Sequence, residues 1–216
     1  MAGLLHAAGV TFEQALMELH APATAKSMVA DFKFVNNTDK PITLAKFAKG
    51  CSCLSVQISN SKMVYAPGEE GVIRATMEIG NMVGVVDKSM SLWFDQDPED
   101  KPSQTLTVRV HIPVLVKMDV KTLKWTTGGT GDAQKIDLRM EHTKPVYILS
   151  ATCNSKAFNL QLKALEEGNH YELLVTPVNI NEPGMGIIRI ETDCDVPNHK
   201  IHQAFAIIRR EGPVHP

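Results

Sequence analysis

The sequence lacks the features that would assign it to a membrane, a nucleic acid or a familiar active site. No stretch reaches the roughly 18 uninterrupted apolar residues that a membrane-spanning helix needs. The formal net charge is −2 and there is no run of lysine and arginine, so we do not expect nucleic-acid binding, which needs a basic surface to neutralise phosphates. A Gly-x-Ser-x-Gly nucleophile elbow and a phosphate loop ending in Gly-Lys-Ser/Thr are both missing. We therefore expect no enzyme activity and no cofactor.

What the sequence does contain is typical of a folded chain. Apolar residues make up 44% of the 216 residues and charged residues 21%, which is far from the composition of a disordered protein. This length suits one large or two small domains. The first ten residues, Met1 to Val10, are small and apolar without a positive start. They have two interpretations, the end of an export signal or a plain N-terminus.

Alternation of apolar and polar residues dominates most of the chain and predicts β-strands. The clearest run is Leu106 to Ile112, where Leu, Val, Val and Ile alternate with Thr, Arg and His. Turn-forming residues such as Asn36-Asn37-Thr38-Asp39 and Pro67-Gly68 separate the runs. Many short strands with frequent turns indicate a β-sandwich.

The N-terminal region shows a different pattern, which predicts a short amphipathic helix. Phe12, Ala15, Leu16 and Leu19 fall at the spacing of one helix face. Thr11 stands where an N-cap would be, and Pro22 would end the helix.

An internal repeat divides the chain. Lys40-Pro41-Ile42 corresponds to Lys144-Pro145-Val146, and Cys51 corresponds to Cys153, with later pairs in the same order. Two copies of one strand-and-turn pattern predict two similar domains with a boundary near Lys117 to Lys121. The predicted organisation is a lead segment with the helix at 1–22, a first domain at 23–117 and a second at 118–216.

Several motifs of the first copy resemble a known family. They are Phe32-Lys33-Phe34-Val35-Asn36, Gly50-Cys51-Ser52-Cys53 and Ala66-Pro67-Gly68-Glu69. In this order they resemble a bacterial family of exported proteins of unknown function, whose signature includes Phe-x-Phe-x-Asn, a Cys-Gly-Cys-Thr strand and a Pro-Gly-Glu turn. The sequence departs from that signature at Ser52, where the family has Gly, and at Leu54, where it has Thr.

The resemblance implies a fold and a role. It implies two tandem immunoglobulin-like β-sandwiches of the Hydin and major-sperm-protein type. It also implies export to the periplasm, outer membrane or cell surface. A pair of sandwiches without a cluster of chemistry-bearing residues predicts a non-catalytic structural or protein-interaction role. Similarity to immunoglobulin-like proteins encoded with type IV pilus genes implies a pilus or envelope assembly as the partner. A carbohydrate-binding adhesin and a metal- or ligand-binding protein are the alternatives.

The four cysteines are the candidate site residues. Cys51 and Cys53 at i and i+2 would point to one face of a strand, where they could form half of a metal site or a redox pair. Zinc normally needs four ligands, and a direct bond between them would close a tight ring, so two packed, inert thiols are the favoured interpretation. In the second copy, Cys153 and Cys194 could face each other and form a disulfide, or could pack separately as thiols.

The remaining polar and aromatic groups have ordinary structural interpretations. His199 and His202 would lie on opposite faces of a strand, although a loop there would allow them to meet. The tryptophans Trp93 and Trp125 are each expected to pack against protein rather than against a sugar. The acidic residues Asp95, Asp97, Glu99 and Asp100 lack the spacing of an EF-hand calcium loop and are expected to form a solvated hairpin loop.

Overall fold

The computed structural model describes residues 5–7, 9–95 and 97–210, and throughout these residues the protein is all-β. It divides into two compact units, Met1–Pro113 and Val114–Pro216. No helix in the described part of the chain is long and apolar enough to cross a membrane. Residues 1–4 and 8, which belong to the stretch interpreted above as the end of an export signal, lie outside the described residues.

The first unit contains two sheets. Its described strands are β1 (Leu5–Ala7), β2 (Val10–Phe12), β3 (Leu16–His20), β4 (Ser27–Asn36), β5 (Ile42–Lys49), β6 (Leu54–Ile58), β7 (Val64–Tyr65), β8 (Glu70–Glu78), β9 (Gly84–Phe94) and β10 (Gln104–Ile112). A 3-10 turn, Ser59–Ser61, follows β6. The strands run in the order β1-β2-β4-β8-β6 in one sheet and β3-β10-β9-β5-β7 in the other.

Both sheets bury one face in a shared core. The alternation in β10 places Leu106 and Val108 in the interior, and the same period in β4 buries Phe32 and Phe34. The strand predicted from the alternating run Leu106 to Ile112 is thereby confirmed. Full burial of such side chains contributes about 1.5–3 kcal/mol each, so this pattern is the main source of stability.

The second unit is built in the same way. Its described strands are β11 (Val116–Met118), β12 (Thr122–Thr126), β13 (Gln134–Met140), β14 (Ile148–Cys153), β15 (Phe158–Glu166), β16 (His170–Pro177), β17 (Gly184–Thr192) and β18 (Ile201–Arg209), with a 3-10 turn at Pro197–His199. The sheet orders are β11-β13-β16-β15 and β12-β18-β17-β14. These orders match β2-β4-β8-β6 and β3-β10-β9-β5 of the first unit strand for strand, which is the structural counterpart of the sequence repeat.

The predicted N-terminal helix is wrong. Val10–Phe12 and Leu16–His20 are strands instead. The Glu13 amide donates to Lys33 O on one sheet, whereas Ala15 O accepts from the Thr107 amide on the other, so the chain changes sheets between residues 13 and 15. Pairing with established strands satisfies the backbone of this short segment better than an isolated helix could, because short helices are marginal in water.

The predicted separation of a lead segment at 1–22 is also wrong. Strands β2 and β3 are integral to the first unit, since β2 pairs with β4 and β3 pairs in parallel with β10. The boundary between the units lies at Pro113, four residues before the predicted end of the first domain at residue 117. The reason is that Val116–Met118 pairs with Leu138–Met140 of the second unit.

Candidate functional site

The first unit has an open side, formed by strand edges that no other described strand of the unit pairs. Among the described strands, β6 is the last of its sheet and pairs with β8 alone. In the other sheet, β7 covers only Ile42 and Thr43 of β5. The second half of β5, Lys46–Lys49, therefore has a partner on one side alone, the strand β9. The two edges belong to consecutive strands joined by the short loop 50–53.

The registers show which backbone groups face outward along these edges. Cys53 O accepts from the Glu78 amide, so in the antiparallel ladder every second residue of β6 bonds to β8. The N–H and C=O groups of Val56 and Ile58 consequently point away from the sheet. By the same reasoning, the bond from the Gly50 amide to Ser89 O leaves the backbone groups of Phe47 directed outward from β5.

A groove of about 580 Å³ lies on this open side. Its apolar lining consists of Phe47, Val56, Ile58, Met63 and Val72. The polar lining comprises Gln57, Ser59, Asn60, Ser61 and Arg74, with no carboxylate among the lining residues. The side chain of Phe47 is 38% exposed although it points to the core side of its sheet. The groove thus offers apolar contacts next to unpaired backbone groups.

The single cation in the groove is held by an ion pair. Arg74 Nε and Nη2 each donate to a carboxylate oxygen of Asp31 at 2.7 Å. These hydrogen bonds from Arg74 lower the pKa of the Asp31 carboxyl, and the same contact raises the pKa of Arg74. The pair fixes the position of the guanidinium at the groove wall.

The turn Ser59–Ser61 borders the groove and has unusual backbone geometry. Asn60 has φ 55° and Ser61 has φ 53°, both in the left-handed region. Asn adopts this region more readily than Ser, so Ser61 is the strained position. A second cavity of about 600 Å³ shares Ser59, Asn60 and Val72 with the groove. The turn is therefore the wall between two cavities.

The loop that joins the two edges contains a disulfide between Cys51 and Cys53. The expectation of two packed, inert thiols is wrong. Both cysteines fall in a turn rather than a strand, and their Cα atoms are 5.3 Å apart, a separation that a disulfide can span. Bonded to each other, the two sulfurs are not the thiolates that a metal site requires, so the interpretation of these residues as metal ligands does not apply.

The disulfide contributes little to the stability of the folded unit. The bonded residues are two apart in sequence, and the loop-entropy estimate for a closed loop of three residues is about 1.6 kcal/mol, against about 3 kcal/mol for a loop of 15. Backbone hydrogen bonds hold the loop independently, one from Gly50 to Ser89 and one from Glu78 to Cys53. A Cβ at Gly50 would lie 2.9 Å from Ser89 O, which explains the glycine at this position.

Cys153 and Cys194 of the second unit are free thiols. The disulfide considered between them from the sequence is therefore wrong. Cys153 pairs with Ile188 at one end of the β14–β17 ladder. Cys194 follows the other end of β17, six residues beyond Ile188, which corresponds to roughly 20 Å of extended chain. The two thiols lie at opposite ends of the sheet. Burial raises the pKa of the Cys194 thiol.

One cluster in the second unit has metal-ligating residue types. His142, Cys194 and Asp195 place one ligand atom each within 4.8 Å of one another. The Lys144 amide donates to His142 Nδ1 at 3.0 Å, so the ring proton sits on Nε2 and is donated to Asp195 Oδ1 at 3.1 Å. A cation on Nε2 would force the proton onto Nδ1, against the Lys144 amide.

The charge in this cluster also opposes a cation. The Lys144 ammonium lies 2.8 Å from Asp195 Oδ2, and this contact is the main cause of the lowered pKa of the Asp195 carboxyl. The arrangement is a hydrogen-bonded network that ties the loop before β14 to the loop after β17. We therefore do not interpret it as a metal site.

The two tryptophans and the acidic loop identified in the sequence have structural roles. Trp125 is 8% exposed, donates to Asp132 O and lies 5.7 Å from the ring of Phe158. Lys46 covers the ring of Trp93, with its Nζ 4.6 Å from the centroid. Neither ring presents an open platform for a sugar. In the acidic loop, the Asp97 carboxylate accepts from the Phe94 amide and caps the turn.

His199 and His202 do meet. The rings of His199 and His202 have centroids 5.7 Å apart, because His199 lies in a 3-10 turn rather than a strand. His199 Nε2 accepts from the Leu115 amide, and His202 Nε2 contacts His199 O at 2.9 Å. Burial lowers the pKa of His202. These contacts are internal and leave the rings engaged with the backbone.

Part of the chain matches a known protein family. Residues 10–112 match the model of a family described as a protein of unknown function, DUF1573. The matched range spans the whole described part of the first unit from β2 to the end of β10. No curated protein matches the sequence.

Solved structures resemble the chain only distantly. A protein of unknown function from Porphyromonas gingivalis W83 is 11% identical, with 93% of this chain and 99% of that chain covered and a TM-score of 0.36. Domains 4–9 of the surface layer protein SbsC are 9% identical, with 95% and 32% covered and a TM-score of 0.31. The secreted serine protease VesC from Vibrio cholerae is 10% identical, with 94% and 52% covered and a TM-score of 0.39. The chain thus spans about a third of the SbsC fragment and about half of VesC, and these likenesses carry no functional argument.

Proposed function

We propose that the protein is a non-catalytic protein-interaction module of the bacterial cell envelope, with two tandem immunoglobulin-like sandwiches. The single observation that carries the interaction role is the groove on the open side of the first unit, bordered by unpaired backbone groups of Phe47, Val56 and Ile58. The proposed ligand is an extended segment of a partner protein.

The immunoglobulin-like assignment is supported by strand order. In each unit the N-terminal strands divide between the two sheets, and one of them, β3 or β12, pairs in parallel with the last strand of the unit. The same arrangement occurs twice, with four strands in each sheet common to both units. Two antiparallel sheets around one core are the general plan of this class.

An extended peptide fits the groove better than a helix or a compact surface. A strand added to β6 can form hydrogen bonds with the outward groups of Val56 and Ile58, and its alternate side chains can reach the apolar lining around Phe47 and Met63. The one cation of the lining, Arg74, is already paired with Asp31. We therefore expect the bound segment to alternate apolar residues and to be recognised by its backbone and its apolar side chains.

Export to the periplasm, outer membrane or cell surface is part of this proposal. The disulfide between Cys51 and Cys53 supports it, because such bonds persist in oxidising compartments and are rare in a reducing cytoplasm. Fractionation with thiols blocked at lysis tests it. We expect the bonded form in the envelope fraction, and a protein confined to the cytoplasm with both thiols reduced would contradict export.

A photo-crosslinking experiment in native cells tests the docking site. A photoreactive residue at the exposed position Gln57 should crosslink to an envelope protein, whereas one at Gln161, on the corresponding edge strand β15, should not. Val56→Pro removes an outward-facing N–H without breaking a bond to β8, and it should abolish the Gln57 crosslink.

Leu162→Pro is the matched control, since its N–H faces outward from β15 by the same register argument. It should leave the Gln57 crosslink unchanged. If Val56→Pro does not fold, Phe47→Ser removes apolar lining instead and should weaken the crosslink. A Gln57 crosslink that survives in a folded Val56→Pro or Phe47→Ser variant would show that docking on this edge is wrong.

A further inference from the structure

We propose that the Cys51–Cys53 disulfide is a thiol–disulfide exchange site, whose substrate is a cysteine thiol in the extended segment that docks on the open side. This deepens the proposed function and rests on its docking groove. The inference comes from position: the loop 50–53 connects the second half of β5 to β6, and these are the two strands whose edges border the groove. A segment lying along β6 leads directly to the disulfide.

The partial exposure of the two cysteines and the backbone hydrogen bonds of their loop both favour exchange. Cys51 and Cys53 are each partly exposed, and Cys51 also packs against the core, so we expect Cys53 to offer the sulfur that an incoming thiolate attacks. The loop is held by backbone hydrogen bonds from Gly50 to Ser89 and from Glu78 to Cys53, and neither depends on the sulfurs. Breaking the disulfide therefore leaves both cysteines in place, as a reversible exchange site requires.

The chemical step balances without a further reagent. The partner's thiolate attacks one sulfur, a new S–S bond forms, and the bond between Cys51 and Cys53 breaks. The released cysteine sulfur takes up the proton that the partner thiol lost. A second thiol of the partner then attacks the mixed disulfide. The partner gains a disulfide, and Cys51 and Cys53 become a dithiol, so two electrons pass from the partner to the loop.

Mass spectrometry on the full-length protein tests the step. Trypsin cuts after Lys49 and Lys62, so both cysteines fall in one peptide, and blocking with an alkylating agent adds two groups to it only after reduction. In millimolar reduced glutathione we expect this peptide to become doubly alkylated while the protein stays folded. Structural disulfides of exported proteins resist glutathione, so a loop that stays fully oxidised would overturn the proposal.

A cysteine-containing peptide with alternating apolar residues tests the substrate class. Docking raises the effective concentration of its thiol, so reduction of the loop should be about tenfold faster than with glutathione at equal thiol concentration. Val56→Pro should lower the peptide rate to the glutathione rate, whereas the control Leu162→Pro should leave the peptide rate unchanged. Phe47→Ser serves if Val56→Pro does not fold.

The outcomes separate the exchange site from the docking site. A peptide no faster than glutathione would overturn the assignment of an extended segment as the substrate. An unreactive disulfide in a protein whose Gln57 crosslink is intact would overturn the exchange and leave the docking function standing. Rapid exchange in a protein whose Gln57 crosslink is absent would contradict the docking function.

Discussion

Removal of the Asn36 side chain should destabilise the first unit by about 3 kcal/mol. Asn36 is fully buried, at the end of β4. Its Nδ2 donates to Lys40 O at 2.8 Å and to Tyr65 O at 2.9 Å, and its Oδ1 accepts from the Thr38 amide at 2.9 Å and the Thr38 hydroxyl at 2.7 Å. One amide group therefore ties the loop after β4 to β7, which covers the start of β5.

The magnitude follows from the groups that Asn36→Ala leaves behind. The bond to Tyr65 O is buried, and a buried carbonyl without a partner costs about 1–3 kcal/mol. The three bonds to Thr38 and Lys40 are partly buried, so water replaces them at a cost of about 0.5 kcal/mol each. The sum is roughly 2.5–4.5 kcal/mol, and we take about 3 kcal/mol as the expected loss. With a urea slope of about 2 kcal/mol/M, the unfolding midpoint should fall by about 1.5 M.

Tryptophan fluorescence can measure this change for the first unit alone. The chain has two tryptophans, and Trp93 is in the first unit and Trp125 in the second. In a Trp125→Phe background, urea unfolding followed by fluorescence reports the first unit. Gln57→Ala, which removes an exposed amide from the same unit, is the control and should change the free energy of unfolding by less than about 0.5 kcal/mol. An Asn36→Ala loss below about 1 kcal/mol would refute the reasoning.

Two further predictions concern the second unit. Hydrogen bonding from His170, aided by Arg139, lowers the pKa of the Asp137 carboxyl. The ionised carboxylate therefore stabilises the second unit at pH values above the unfolded pKa of about 3.9. This stabilisation is lost as the pH falls towards the lower pKa of the folded state. Asp137→Asn should thus destabilise the unit at pH 7, and its deficit in urea unfolding should shrink below about pH 4; a deficit independent of pH would contradict this. Cys194 is 2% exposed, and burial raises the pKa of its thiol. In the native protein, Cys194 should therefore react with a disulfide reagent more than about tenfold more slowly than the partly exposed Cys153. Equal rates for the two thiols before unfolding would show that the burial of Cys194 is wrong.

Much of the strand pattern could be predicted because it depends on local alternation. The run Leu106 to Ile112 forms a strand whose side chains are buried as the alternation predicts. The repeat between Lys40-Pro41 and Lys144-Pro145 has its counterpart in the matching strand orders of the two units. A strand with one face on the core needs every second side chain to be buried, and this requirement is visible in the sequence as alternation of apolar and polar residues.

The N-terminal segment could not be predicted in the same way. Phe12, Ala15, Leu16 and Leu19 fit a helix face, yet Val10 and Phe12 also fit one strand and Met17 and Leu19 another. Only the presence of β4 and β10, with backbone groups open to pairing, favours two strands over one helix. Those partner strands are far away in sequence, so no local pattern contains them.

For the two cysteine pairs too, the sequence suggested an arrangement and the tertiary structure decided it. The spacing of Cys51 and Cys53 favoured two inert thiols, whereas the bond between them depended on the loop being a turn anchored to both sheets by Gly50 and Cys53. For Cys153 and Cys194, position in the repeat allowed a disulfide, and the register of β14 with β17 placed them at opposite ends of a sheet.

The sequence by itself determined the all-β class, the two-fold repeat and the positions of most turns, because these depend on the period and chemistry of neighbouring residues. Only the tertiary structure decided which strand edges stay open and that Phe47, Val56 and Met63 line one groove. Pairing between strands brings together residues that are distant in sequence, and an edge is defined by the strand that is missing beside it. A neighbour's absence leaves no pattern in the residues themselves, and the proposed site consists of such an absence together with the disulfide loop at its end.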